Sequence, residues 1–153
     1  MKKTSLFVAF MVLAAQSFAQ TLYIKNGPYT SSISVQVFGH DDGTYYPACS
    51  SMFSNNFTVS PPGETFSSIA DLNYYGTYGA YWQPCCTTAG SVFGTGAGWD
   101  HAIVTVGTCA PISIGNLSAC TSLVTSVPLP CLPGYTLEWG EDMYGNVEIG
   151  ITN

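Results

Sequence analysis

Apolar and polar residues alternate along several short segments, most regularly over residues 33–39. β-Branched apolar residues occupy every second position there, and Ser34 and Gln36 separate them. A two-residue period is typical of a strand with one buried face, because successive side chains point to opposite sides of the sheet. The same period runs through Trp99–Gly107, with apolar residues at alternate positions from 102 to 106. Both segments are therefore predicted to be half-buried strands.

Shorter segments of the same character recur between turn-forming Gly, Pro, Asn and Asp residues, and none has an extended 3.6-residue apolar period. Further strands are predicted at Leu22–Lys25, Phe57–Val59, Glu64–Leu72, Ile112–Ile114, Leu123–Val127, Thr136–Trp139 and Val147–Ile151. The last two form a hairpin through the turn at Gly140–Asn146. The sequence therefore predicts an all-β fold, a single disulfide-stapled antiparallel β-sandwich in which jelly-roll and immunoglobulin-like topologies both remain open.

The first nineteen residues have the pattern of a bacterial secretory signal peptide. A short basic segment precedes an apolar run over Leu6–Ala15, and small residues precede a predicted cleavage between Ala19 and Gln20. The run is about half the length that a membrane-spanning helix needs. We therefore expect export to the periplasm or the cell exterior, with residues 20–153 as one domain and no membrane insertion after cleavage.

Charge is scarce and almost entirely negative. The sequence contains nine Asp and Glu residues, and cleavage would leave Lys25 as the one basic side chain other than histidine, a balance of −8. Nucleic-acid binding requires Lys or Arg to neutralise several phosphates, so it is excluded as a function class. Anionic membrane surfaces are excluded for the same reason. The expected partners are a protein or a neutral glycan at the cell surface, or a second copy of the chain.

The cysteines predict a disulfide framework. An even number in an exported chain favours disulfides over zinc or redox chemistry, and no C-x-x-C pair is present. Closure of the short loop between Cys120 and Cys131 is the predicted local bridge, and Cys49 and Cys109 would pair with Cys85 and Cys86 in either order. The six residues concerned are Cys49, Cys85, Cys86, Cys109, Cys120 and Cys131.

A tyrosine-rich run between residues 73 and 86 is the most suggestive candidate for ligand binding. Aromatic side chains separated by glycines suit the faces of neutral sugars and also suit protein–protein contacts. The alternative is that these side chains fill the sandwich core. The candidate residues are Tyr74, Tyr75, Tyr78, Tyr81 and Trp82.

Two carboxylate pairs occur in predicted turns, at Asp41-Asp42 and at Glu141-Asp142. Calcium binds several oxygen ligands from such loops, so these four residues are candidate ligands and calcium is the one candidate cofactor. Neither pair matches the D-x-[DN]-x-[DN]-G pattern, and solvated turn residues are the competing interpretation.

No catalytic motif is present, since the chain lacks both a G-x-S-x-G elbow and an H-E-x-x-H pair. The leading hypothesis is a non-enzymatic exported domain that acts by surface contact in a structural, adhesive or assembly role. Exposed edge strands at Leu22–Lys25 and Val147–Ile151 would then pair with another chain. A carbohydrate-binding module is the alternative, and a small secreted hydrolase built around His101, Asp100 or Glu141 is the third hypothesis.

Overall fold

The computed structural model describes residues 21–27, 29–40, 54, 56–66, 98–115 and 123–153. These residues form nine strands and no helix. In chain order the strands are β1 (Leu22–Lys25), β2 (Ile33–His40), β3 (Phe57–Val59), β4 (Gly63–Phe66), β5 (Gly98–Val106), β6 (Ile112–Gly115), β7 (Ser126–Pro128), β8 (Thr136–Glu141) and β9 (Val147–Thr152). The predicted all-β class is confirmed, and each predicted strand overlaps a strand of the structure.

The strands make two sheets, one in the order β4-β1-β9-β8-β7 and one in the order β3-β2-β5-β6. Every described pair is antiparallel except β1 and β9, which run parallel with Leu22 opposite Val147. The prediction of a purely antiparallel sheet was therefore wrong at this pair. Hairpins force antiparallel neighbours, but β1 and β9 come from opposite ends of the chain and no short connection fixes their relative direction.

The two predicted edge strands are internal. β1 pairs with β4 on one side and β9 on the other, and β9 pairs with β1 and β8. The prediction that Leu22–Lys25 and Val147–Ile151 are exposed edges was wrong, because alternation reveals which face of a strand is buried and carries no information about its lateral neighbours.

One hydrophobic cluster takes buried side chains from both sheets. Phe57 of β3 and Phe66 of β4 meet edge to face, with ring centroids 5.6 Å apart. On the opposite side, Gly115 N–H donates to the Val124 carbonyl at 3.1 Å, and Trp139 N–H donates to the neighbouring Thr125 carbonyl at 2.8 Å. The apolar members of the cluster are Leu22, Ile24, Ile33, Val35, Val37, Phe57, Val59, Phe66, Trp99, Ala102, Val104, Val106, Cys109, Ile114, Leu129, Leu137, Trp139, Val147, Ile149 and Ile151.

Cys109 and Cys131 form a disulfide, with Cα atoms 5.3 Å apart. Cys109 lies just after β5 and Cys131 lies in the turn between β7 and β8. The predicted Cys120–Cys131 bridge and the pairing of Cys109 with Cys85 or Cys86 were therefore wrong. The predicted Cys120–Cys131 bridge was favoured by its short separation in sequence. The partner of Cys131 is instead decided by the packing of β5 beside the β7–β8 turn. Cys49, Cys85, Cys86 and Cys120 lie outside the described residues.

Three other predictions also fall outside the described residues: the signal peptide over residues 1–19, the carboxylates Asp41 and Asp42, and the aromatic run Tyr74, Tyr75, Tyr78, Tyr81 and Trp82. Within the described ranges, no helix is long and apolar enough to cross a membrane.

Candidate functional site

A groove of about 500 Å³ runs along the outer face of the five-stranded sheet. Its volume falls within the range of small-ligand sites, roughly 300–1,000 Å³. The sheet forms its floor, and the turn between β8 and β9 closes one end. The lining residues are Tyr23, Thr125, Ser126, Glu138, Trp139, Gly140, Glu141, Asp142, Asn146, Val147, Glu148, Gly150 and Thr152.

Two glycines occupy the centre of the groove floor. In the β8–β9 ladder Gly140 lies opposite Glu148, and Gly150 lies opposite Glu138. A Cβ added at Gly140 or Gly150 would meet no atom closer than 3.9 Å, and neither residue has a positive φ. Glycine weakens a strand by about 0.5–1 kcal/mol relative to alanine. Neither backbone conformation nor packing requires glycine here, so its effect at both positions is to leave the groove open.

The side chains of Glu138, Glu148 and Tyr23 project from the strands that form the floor and line the groove. Tyr23 of β1 lies opposite Glu148 and is 39 % exposed. Lys25 donates to Glu148 across 2.6 Å, an exposed ion pair worth about 0–1 kcal/mol. Glu138 has no hydrogen-bond or ion-pair partner among the described residues. The groove therefore combines an exposed aromatic ring with carboxylate acceptors.

Asp142 fixes the turn at the end of the groove. Its side chain accepts hydrogen bonds from the backbone N–H of Tyr144 at 2.8 Å and of Asn146 at 3.0 Å, and from Asn146 Nδ2 at 2.9 Å. The bond from the Asn146 side chain contributes most to holding the pKa of Asp142 below its usual value. The Asn146 side chain also accepts the Thr21 N–H at 2.9 Å, which joins this turn to the start of β1.

The calcium hypothesis gains no support from the Glu141-Asp142 pair. Both Asp142 oxygens already accept N–H donors of their own turn. No group of three or more His, Cys, Asp or Glu side chains suited to a metal ion occurs in the described part of the chain. Asp142 acts here as a turn-forming residue, whereas Asp41 and Asp42 remain an untested prediction.

His40 and Asp100 form a second cluster beside the groove. His40 ends β2, Asp100 lies near the start of β5, and their Nδ1 and Oδ1 atoms are 2.6 Å apart. Asp100 is completely buried, whereas the His40 side chain is 25 % exposed. A buried carboxylate that accepts a hydrogen bond from an imidazole N–H fixes the orientation of the ring. The rest of the His40 ring stays partly accessible to solvent.

Glu141 connects this pair to the groove. Its pKa is raised, first by desolvation and then by the negative charge of Asp142, while His40 opposes that rise and Asp100 adds to it. Glu141 also lines the groove. The groove therefore ends where three carboxyl groups and one imidazole lie within electrostatic reach of one another.

His101 is separate from that cluster, in agreement with the alternation of side chains along β5. Its ring stacks on Phe38 of β2 with centroids 4.0 Å apart. Burial lowers the pKa of His101, and the nearby Asp100 charge partly opposes the shift. The sequence-based hydrolase hypothesis named His101, Asp100 or Glu141 as its centre. The structure instead brings His40 to Asp100, through the pairing of β2 with β5.

Among the groove residues, the sequence-based candidates included only Glu141 and Asp142, as possible calcium ligands. The one available signal was that Tyr23, Glu138, Gly140, Glu148 and Gly150 occupy the outward positions of their strands. The sequence predicts that β8 and β9 form a hairpin, but nothing in it indicates that β1 lies beside β9, so the outward positions of the three strands could not be assembled into one surface. Comparison with protein-family models, with curated proteins and with solved structures finds no match for this chain.

Proposed function

We propose that this protein is an exported β-sandwich domain that acts by surface contact, and that the groove on its five-stranded sheet binds a glycan. Export rests on the signal-peptide pattern and is supported by the cystine bridge between Cys109 and Cys131. The sandwich rests on the shared hydrophobic cluster, to which both sheets contribute their buried faces.

The observation that carries the proposal is the floor without side chains at Gly140 and Gly150, where an added Cβ would meet no atom closer than 3.9 Å, beside the exposed ring of Tyr23. Sugar rings stack on aromatic faces, and their hydroxyl groups donate to carboxylates such as Glu138. The strands β1 and β9 are paired on both sides within the sheet, and β8 is paired with β9 along its length. An extended peptide would find no strand edge at β1 or β9, so this part of the groove favours a glycan over strand addition.

The proposal is tested by filling the groove. Gly140→Thr and Gly150→Thr place a strand-compatible side chain where nothing lies within 3.9 Å, so both variants are expected to fold. Protein exported from the full-length sequence is applied to a glycan array, with Gly27→Thr as the control because that glycine lies outside the groove and also has open space around it.

Binding by the wild type and by Gly27→Thr, with loss of at least about tenfold in either groove variant, supports the proposal. Equal binding by all four proteins would place the contact elsewhere on the molecule. A wild-type protein that binds no glycan would refute the glycan assignment.

The His40–Asp100 pair supports a second candidate function, a small secreted hydrolase. A buried carboxylate that orients a partly exposed imidazole, next to a carboxyl group with a raised pKa, is an arrangement suited to general acid–base catalysis. No nucleophile is identified among the described residues, so in this candidate His40 would activate water, and Glu141 in its protonated form would donate a proton to the leaving group.

This second candidate is tested on a panel of chromogenic esters and glycosides. Any hydrolysis by the wild type should fall by about a hundredfold or more in His40→Gln and remain in His101→Gln, which removes the other histidine. A wild-type protein inactive on every substrate, or an active His40→Gln variant, would rule the candidate out.

A further inference from the structure

The charge distribution around the groove carries an inference that rests on the proposed function and specifies its ligand. Four carboxylate residues line the groove, and no Lys, Arg or His side chain is among the lining residues. Lys25 offsets the charge of Glu148 from the adjoining strand. Even with Lys25 bound to Glu148 and His40 acting on Glu141, the four carboxylates leave the groove with an excess of negative charge.

We propose that the groove binds an amino-sugar glycan, whose protonated amines are matched to Glu138 and Glu148. The two glutamates lie diagonally across β8 and β9, each directly opposite a glycine. Glu148 faces Gly140, where no atom lies closer than 4.0 Å to an added Cβ, whereas Gly150, opposite Glu138, also adjoins Lys25 and the Glu148 carboxylate. An ammonium group therefore approaches Glu138 from its exposed side. Tyr23 lies opposite Glu148, so a sugar ring held by that carboxylate would lie within reach of the phenol ring.

Other occupants fit these charges less well. A second copy of the chain would bring nine further carboxylates and only one lysine after signal cleavage, so like charges would repel across the interface. A neutral glycan would leave Glu138 without a charged partner, and an acidic glycan would be repelled. A basic peptide satisfies the charge but finds the backbone of β1 and β9 already paired on both sides.

The test compares two probes that differ in charge and share the same sugar: a glucosamine oligomer and its N-acetylated counterpart. Binding of each is measured by isothermal titration calorimetry, in low salt and at a pH where the amines are protonated. The glucosamine oligomer should bind about fivefold or more tightly, and the difference should shrink as added salt screens the charges.

Glu138→Gln removes one groove carboxylate while keeping its shape, and Glu64→Gln is the matched control because Glu64 lies outside the groove and the same unit of charge is lost. The preference for the glucosamine oligomer should fall to within about twofold in Glu138→Gln and persist in Glu64→Gln.

The possible results separate the two proposals. Equal binding of both oligomers would overturn the amino-sugar inference and leave glycan binding in the groove intact. Binding of neither oligomer, together with an array on which the wild type binds nothing, would overturn both. If a lysine oligomer of equal length displaces the glucosamine oligomer at lower concentration, the ligand is a basic peptide and not a glycan.

Discussion

Gly115 shows how strongly a single position can be constrained by its cross-strand neighbour. It lies opposite His101 in the β5–β6 ladder, and an added Cβ would come within 2.6 Å of the Asp100 carbonyl oxygen and of His101 Cα. The atoms in the way are backbone or are fixed to it, so they cannot rotate aside. Gly115 therefore brings β6 close to the strand that carries Asp100.

We expect Gly115→Ala to lower the free energy of unfolding by about 1–3 kcal/mol, the usual cost of overpacking. Gly140→Ala, which adds the same methyl group in open space, should leave stability unchanged or raise it by about 0.5 kcal/mol. Urea denaturation of the two variants measures both effects. Equal stability of the two would contradict the close approach of β6 to β5.

Glu141 and Asp142 are adjacent in sequence, but ionisation of their carboxyl groups should have opposite effects on the free energy of unfolding. A raised carboxyl pKa means that the folded state binds the proton more tightly than the unfolded chain, so the ionised group opposes folding. Glu141→Gln should therefore raise the urea midpoint at about pH 7, and this gain should disappear as the pH falls below the usual Glu value of 4.5.

Asp142→Asn is the control of opposite sign. A lowered carboxyl pKa stabilises the fold above the usual Asp value of 3.8 and ceases to do so as the pH falls through the folded pKa. The variant should be less stable than wild type at neutral pH, with the difference closing in acid. Parallel pH profiles for Glu141→Gln and Asp142→Asn would contradict the assignment of these shifts.

At the scale of elements, the Cys109–Cys131 bridge joins the end of β5 in one sheet to the β7–β8 turn of the other. The two cysteines are 22 residues apart in sequence. Closing a loop of that length lowers the conformational entropy of the unfolded chain. On the chain-entropy account this raises the free energy of unfolding by about 3 kcal/mol. The bridge therefore stabilises the connection between the two sheets.

Replacing both residues, in Cys109→Ala/Cys131→Ala, should lower the free energy of unfolding by about 2–4 kcal/mol. Urea denaturation measures the loss, and peptide mapping without reduction identifies the bridge in the wild type. A peptide linking Cys120 to Cys131 would contradict the structure. The double variant removes the pair together, so no unpaired thiol remains to exchange with the other cysteines.

At the scale of the whole molecule, the shared core predicts that the two sheets unfold together. Trp99 is buried in the four-stranded sheet and Trp139 in the five-stranded sheet. Each provides a fluorescence signal for its own sheet. If both sheets rely on one hydrophobic cluster, neither can stay folded after the other has lost its packing partner.

Two variants separate the signals: Trp82→Phe/Trp139→Phe reports on Trp99, and Trp82→Phe/Trp99→Phe reports on Trp139. Each fluorescence transition in urea should coincide with the loss of β-structure in the same variant, as measured by circular dichroism. If far-ultraviolet circular dichroism of β-structure persists after the fluorescence transition of either tryptophan is complete, the two sheets are separate folding units. That result would refute the sandwich.

The strands were predictable from the sequence because their signal is local. Alternation over residues 33–39 and 102–106 requires only that one face of a strand meets a core, and turn residues bound the other segments. Charge was equally accessible, since the scarcity of Lys and Arg follows from the sequence without any fold. These features predicted the all-β class, which the structure confirms, and they argue against nucleic acid as a partner.

The β8–β9 hairpin was predicted from the sequence, whereas the other strand neighbours, the partner of Cys131 and the assembly of the candidate site were decided only by the tertiary structure. The parallel pairing of β1 with β9 joins the two ends of the described chain, and it places Tyr23 opposite Glu148, 125 residues further on. His40 meets Asp100 through the β2–β5 ladder, although His101 is the histidine next to Asp100 in sequence. Each contact depends on which strands pack together, and local alternation carries no record of that choice.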